Sequence, residues 1–329
     1  MLAIETRELT KDYEIKKNKE RVYLRAVDDL NLQIEESEIY CLLGPNGAGK
    51  TSTTRLLTSI LHPTLGGARI LGSDIVNEAS KVRSKVGLLT ETPALYDRLT
   101  VRQNLDFIAK LYSMQKEDIS SRIEEIMDLF DLTEKIDLSA GSLSKGMKQK
   151  VSIARAMIHD PPVLFLDEPT ASLAPESAKV VRELIMKLSR KEKRTFFICT
   201  HNLFEAERLA SVVGIINRGK IIAEGSPSQL RELKKEETTT IFRFSSWNDI
   251  IKNYFVEGNY DILEINPEKK SISLFINDIE KETPLIIEQL VKLKFPMFEV
   301  RHEFPTLERI YLELIESANR PTIEEEVEA

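Results

Sequence analysis

Residues 44–51 read Gly-Pro-Asn-Gly-Ala-Gly-Lys-Thr, a G-x-x-x-x-G-K-[ST] run between the apolar stretch IYCLL (39–43) and a helical pattern bearing Leu56, Leu57, Ile60 and Leu61. A buried strand, a tight turn and a helix start in that order restrict the chain to α/β folds with a phosphate cradle at a strand's C-terminal end. The glycines let the backbone turn sharply and approach an anion, the amides of residues 46–52 point inward, and the helix start adds partial positive charge. Lys50 is then placed to reach the β- and γ-phosphates of a nucleotide, and the Thr51 hydroxyl to ligate Mg²⁺. Gly44, Pro45, Asn46, Gly47, Ala48, Gly49 and Ser52 complete the expected binding loop.

Three further runs, VLFLD (163–167), TFFICT (195–200) and VVGIIN (212–217), are continuously apolar rather than alternating. Strands buried on both faces of a helix-covered parallel sheet read this way. VLFLD delivers Asp167 and Glu168 to the sheet edge where ligands sit in open α/β folds. Asp167 suits a Mg²⁺ shell, and Glu168 suits polarising a water as general base. A strand-ending Asp-Glu by itself is more often a solvated pair or a helix cap; beside the phosphate loop it reads as functional. LSKGM (143–147) opens a helix with Ser144 as N-cap and an expected buried face of Met147, Val151, Ala154 and Ile158. Taken singly, that is an ordinary capped helix.

The chain has 329 residues, which predicts two domains. Its 46 basic and 53 acidic side chains leave a net charge of −7. That balance argues against a nucleic-acid partner, and the local cluster Lys16, Lys17, Lys19 and Arg21 reads as a solvated loop. Cys41 and Cys199 sit in apolar runs and read as small buried hydrophobes in a reducing compartment, without a disulfide. MLAIETREL lacks the layout of a signal peptide, and no apolar run approaches the roughly 20 residues that span a bilayer, so a soluble chain is expected.

Residues 100–158 hold helical patterns only, with Val101, Leu105, Ile108 and Tyr112 on one helix behind a Thr100/Gln103 capping box, and Ile119, Ile123, Ile126 and Phe130 on the next. They predict a helical lobe of about residues 93–158 inserted into the α/β core. The charged run RELKKEE (231–237) reads as a linker that closes a first domain over 1–232. Residues 238–316 then read strand, helix, strand, strand, helix, strand and a closing helix bearing Leu307, Ile310, Tyr311 and Leu314, the split βαβ or ferredoxin-like order. Residues 317–329 read as a disordered acidic tail. The expected fold class is therefore α/β, a P-loop ATPase with a mostly parallel core sheet and an inserted helical lobe, followed by a small α+β domain. Trp247 is assigned to that domain's core; His62, His159 and His302 are assigned to loops or the surface.

The phosphate loop, LSKGM, VLFLDEPT about twenty residues later, and His201 within CTHNLFEAERLA stand in the order and spacing of a known family. Residues 1 to about 230 resemble the ATP-binding subunits of ABC transporters, and the C-terminally extended ATPases of drug-resistance and sodium-export type are the most similar. The resemblance implies two subunits paired head to tail as a homodimer. ATP held by Lys50 on one subunit is closed by Ser144 and Gly146 of the other, with Mg²⁺ as cofactor. It further implies that Glu168 activates water, that His201 contacts the γ-phosphate, and that a separate transmembrane permease holds the chain on the inner face of the cell membrane. The family's adenine-stacking aromatic falls at Tyr13 or, because residues 13–26 form a longer segment than usual, at Tyr23.

Four positions depart from the family pattern. Glu91 replaces a glutamine beside the metal, Lys145 and Met147 replace the commoner Gly and Gln, and Ala174 replaces an aspartate that contacts the opposing subunit. Two other readings stay open at this stage: a soluble ABC ATPase serving assembly or translation, and a nucleotide-gated interaction module acting through residues 238–316.

Overall fold

The structure, a computed structural model, describes residues 1–17, 20–92, 95–233, 239–304 and 306–319. They divide into two compact units, 1–227 and 228–329. The division falls five residues before the expected domain end at 232; Pro227–Glu232 is a helix with Leu230 buried, so residues 231 and 232 of the expected linker are helical. The remainder of the expected linker, from residue 234, lies outside the described residues.

The first unit is built on a six-stranded sheet in the order Lys220–Gly225, Val212–Asn217, Ile39–Leu43, Thr195–Thr200, Val163–Asp167, Val86–Leu89. Every pairing is parallel except that of the edge strand Lys220–Gly225. The continuously apolar runs occupy its centre, where every residue of Ile39–Leu43, Val163–Asp167 and Thr195–Thr200 is buried. Tyr40 and Phe197 stack there at 5.5 Å. The central strands all end at one edge, so Leu43, Asp167 and Thr200 deliver their following loops side by side.

A second sheet lacks the continuous apolar runs of the first. The long strand Leu2–Lys17 pairs antiparallel with Glu20–Leu30, with Gln33–Glu35 and with Leu65–Ile70. Its period-2 signal is broken by irregular pairing between Arg7 and Thr10 and between Leu9 and Lys11, with Glu8 and Asp29 at positive φ. The basic cluster is correspondingly a hairpin and not a loop: Lys16 lies opposite Arg21, and Arg21 pairs with Glu14 at 3.1 Å. Lys19 lies outside the described residues.

The helical lobe comprises Val101–Leu111, Lys116–Leu129 and Lys145–Met157, and the Thr100/Gln103 capping box is present. The first helix turns further than its apolar stripe suggests, burying Asn104 and Ala109 with Val101 and Leu105 while Ile108 is only half-buried. The reason is Asn104, whose amide bridges Tyr96 N at 2.8 Å and the Tyr96 and Thr100 carbonyls at 3.1 and 2.9 Å. Tyr112 instead lies flat on His159, ring centroids 3.6 Å apart. His159 is thus half-buried and not a surface residue, with Nε2 donating to the Val86 carbonyl at 3.0 Å. His62 is exposed.

The second unit holds a four-stranded antiparallel sheet in the order Asp261–Asn266, Ser271–Phe275, Thr239–Phe244, Met297–Glu303, the strand order of a split βαβ fold. Helices Asp249–Glu257 and Ile279–Lys292 supply Phe255, Ile286 and Leu290 to a core with Phe242, Phe244, Ile272 and Leu274. Trp247 packs against this core from its margin, 6.1 Å from Phe244, and is only partly buried. The second helix starts five residues ahead of Pro284, because Asp278 caps it by accepting from Lys281 N. His302 sits on a strand, bonded to the Thr240 hydroxyl at 2.9 Å. The closing helix Leu307–Asn319 includes residues 317–319 of the expected tail; the rest of that tail lies outside the described residues. Among the described residues no helix is long and apolar enough to cross a membrane, and both cysteines are free and buried.

Candidate functional site

The loop after Ile39–Leu43 turns into helix Lys50–Leu57 through Gly49, whose φ is +111°. A Cβ at that position would lie 2.3 Å from the Ala26 carbonyl, so only glycine lets the loop seat against the N-terminal hairpin. Gly49 offers no side-chain cap, which leaves the first amides of the helix without a side-chain acceptor and suited to an anion. Lys50 is buried, and its ammonium lies back across the loop, donating to the Gly44 and Pro45 carbonyls at 2.7 and 3.0 Å. Thr51 Oγ1 donates to Asp167 Oδ2 at 3.0 Å, joining the helix start to the neighbouring strand end.

Asp167 and Glu168 are both buried at the sheet edge. Burial raises the Asp167 carboxyl above its usual range, and the charges of Glu168 and Glu91 add to that, against the lowering effect of the Thr51 hydroxyl and Lys50. A carboxylate held this way gains from a cation. Thr51 Oγ1, Asp167 and the nearby Glu91 form an all-oxygen donor set, the kind a hard ion such as Mg²⁺ takes, so these residues fit the metal.

Glu168 sits at φ +51°, an uncommon backbone for a residue with a side chain, and is held there by its N–H to the Cys199 carbonyl at 2.9 Å. Its Oε1 accepts from His201 N at 2.9 Å and His201 Nδ1 at 2.7 Å. Among the described residues its Oε2 faces only the Thr200 hydroxyl, at 3.3 Å. The pair is a carboxylate with one oxygen anchored and the other comparatively open.

These groups line one cavity of about 480 Å³ with Tyr13, Leu24, Ala26, Asn46, Gly47 and Ser52. Tyr13 is the tyrosine that reaches it, its hydroxyl 3.3 Å from Ser52 Oγ. Tyr23 pairs across from Glu14 on the other face of the hairpin and is 68% exposed. Ser144 and Gly146 are not in this cavity. Ser144 caps helix Lys145–Met157 by accepting from Met147 N, and both residues line a separate concavity of about 310 Å³ with Lys135, Lys150 and Ser177. The helix buries Val151, Ala154 and Ile158, whereas Met147 is only half-buried. Ala174 is the N-cap of helix Pro175–Glu192 and provides no capping side chain.

Two residues that sequence reasoning passed over support the site. Gln149 Nε2 donates to the Pro169 carbonyl at 2.7 Å and steadies the turn after Glu168. Glu205 is buried between the hydroxyls of Thr170 and Thr200, each at 2.8 Å. The signal for Glu205 is a charged residue adjoining Ala206 and Leu209 on the inward side of helix Leu203–Leu209.

Known proteins resemble this chain over the same region. The family pattern described as ABC transporter matches residues 27–171. The ABC transporter ATP-binding protein NatA of Bacillus subtilis (strain 168) is 38% identical over 216 residues, covering 65% of this chain and 87% of its own. The bacitracin transport ATP-binding protein BcrA of Bacillus licheniformis is 36% identical over 259 residues, covering 79% and 80%. Among solved structures, a bacterial ABC transporter cassette in dimeric form superimposes with a TM-score of 0.60 at 26% identity, over 68% of this chain and 98% of that one.

Proposed function

The chain belongs to the ATP-binding subunits of ABC transporters, and on that premise we propose that it hydrolyses ATP between two copies of itself and drives a separate membrane permease of an export system. The observation that carries this reading is the division of the site. Lys50, Asp167, Glu168 and His201 line one cavity, while Ser144 and Gly146 line another. A triphosphate resting on one copy's loop is closed by the Ser144 helix start of a second copy set head to tail.

In that arrangement Lys50 exchanges the Gly44 and Pro45 carbonyls for phosphate oxygens and neutralises charge on the transferred group. Tyr13, in the cavity wall, stacks on the base. Mg²⁺, when held by Thr51 and Asp167 with Glu91 near, neutralises charge on the phosphate oxygens. Glu168, fixed through Oε1 by His201, takes the proton of the attacking water. Catalysis here is mostly positioning and charge stabilisation. The pairing and release of the two copies are passed to the permease, which holds the chain on the cytoplasmic face of the membrane. The resemblance to drug-resistance type ATPases favours export.

The test is Glu168→Gln, which should cost about 10² to 10⁴ in hydrolysis while ATP binding persists. Light scattering in saturating ATP and Mg²⁺ should then give the mass of a dimer. A variant that stays monomeric, or that hydrolyses ATP at the native rate, overturns the proposal.

A further inference from the structure

Glu205 takes no part in the chemistry above, yet it is more deeply buried than Asp167 or Glu168, at 1% exposure against 6% and 8%. Its Oε1 accepts from Thr170 Oγ1 and its Oε2 from Thr200 Oγ1, both at 2.8 Å. Thr170 lies in the turn just after Glu168, and Thr200 ends the strand just before His201. One carboxylate therefore ties together the two loops that frame Glu168. A buried carboxylate is costly without donors; burial, with the charge of Glu168, pushes its carboxyl up, and the two threonine hydroxyls offset part of this.

The Thr200 hydroxyl has one hydrogen and two carboxylates within reach, Glu205 at 2.8 Å and Glu168 Oε2 at 3.3 Å. Asn202 N donates to the same hydroxyl at 3.0 Å, which limits how it can rotate. The shorter contact takes the hydrogen. We propose that Glu205 is a positioning residue for hydrolysis: it holds the Thr200 hydrogen away from Glu168, leaving Glu168 Oε2 open to the attacking water, and through Thr170 it fixes the adjoining turn. This rests on Glu168 being the base, as argued above.

Glu205→Gln is nearly isosteric, but its amide has a single acceptor oxygen and so can accept from only one of the two hydroxyls. The freed Thr200 hydrogen turns to Glu168 Oε2. Turnover should fall by about tenfold to a hundredfold, while ATP affinity stays within about twofold because the phosphate loop is untouched. Adding Thr200→Val removes the blocking hydroxyl, so the double variant should turn over faster than Glu205→Gln alone. A merely structural role predicts the reverse, a second loss on top of the first.

The inference is overturned if Glu205→Gln turns over at the native rate, if its defect lies in ATP binding, or if the double variant is no faster. The control is Glu168→Gln measured alongside. A native chain without hydrolysis, or an active Glu168→Gln, defeats the assignment of the base itself. An active native chain and an inactive Glu168→Gln, together with a fully active Glu205→Gln, defeat this inference alone.

Discussion

Lowering the pH from about 7 to about 5 should destabilise the first unit through His159, and His159→Gln should remove most of that loss. The imidazole lies flat against Tyr112 and donates from Nε2 to the Val86 carbonyl, while its buried Nδ1 has no hydrogen-bond partner among the described residues. A second proton on the ring would be buried without an acceptor. Burial therefore brings the ring's pKa from 6.5 down to about 4, the charges of Arg122 and Arg194 act in the same direction, and the Val86 carbonyl and Asp160 oppose it. The unfolded chain takes up the proton first. Between the two values it binds more protons than the folded one, so stability present at neutral pH is lost as the pH falls. The loss from this one group is about 2 kcal/mol between about pH 7 and about pH 5.

Glutamine keeps a donor for Val86 but cannot titrate, so the variant starts lower at neutral pH and falls less on acidification. Urea unfolding of both proteins at the two pH values, with the slopes checked for equality, measures the difference directly. If native protein and variant lose the same stability, the buried imidazole is not the cause.

Ala174→Asp supplies the missing cap of helix Pro175–Glu192; it should add about 1 kcal/mol and raise the melting temperature of the nucleotide-free chain by about 2–4 °C. The same substitution should raise turnover in the dimer by restoring a side chain facing the opposing copy, and an unchanged rate counts against that contact. Tyr13→Ala should weaken ATP binding by about tenfold, in keeping with the loss of one base–aromatic stack, and Tyr23→Ala should leave it unchanged. Titration calorimetry with ATP decides the pair, and a defect in Tyr23→Ala alone reverses the assignment.

The parts of the fold visible in the sequence were those whose signal is local. Strands buried on both faces carry continuous apolar runs, and IYCLL, VLFLD and TFFICT coincide with observed strands. The antiparallel sheet was hidden because Glu8 and Asp29 interrupt the alternation that would have marked it. The contiguous motifs likewise pointed to one cavity, since the strand ends of a parallel sheet must lie together. Gln149 works through a partner remote in sequence, Pro169, and Glu205, although it showed as a charged residue on an inward helix face, joins nearby Thr200 to the remote Thr170. His159 looked like a loop residue for a related reason: its cover, Tyr112, comes from a different helix. The choice between Tyr13 and Tyr23 depended on hairpin pairing, which residue types alone do not specify.

Tyr13 is carried by a strand rather than a loop, with Leu24 directly opposite it and Glu14 opposite Tyr23. Neighbouring side chains on a strand face opposite ways, so a slip of one residue would swing an acidic group, Asp12 or Glu14, towards the cavity that Tyr13 lines. The Arg25–Asp12 ion pair at 2.8 Å fastens the pairing next to this point. Changes further along the hairpin leave Tyr13 on its face only if they keep its pairing with Leu24. The register shifts between Leu9 and Lys11 and between Lys11 and Asp12 lie just before this point, so the face that Tyr13 presents is set by where those irregularities end as much as by residue identity.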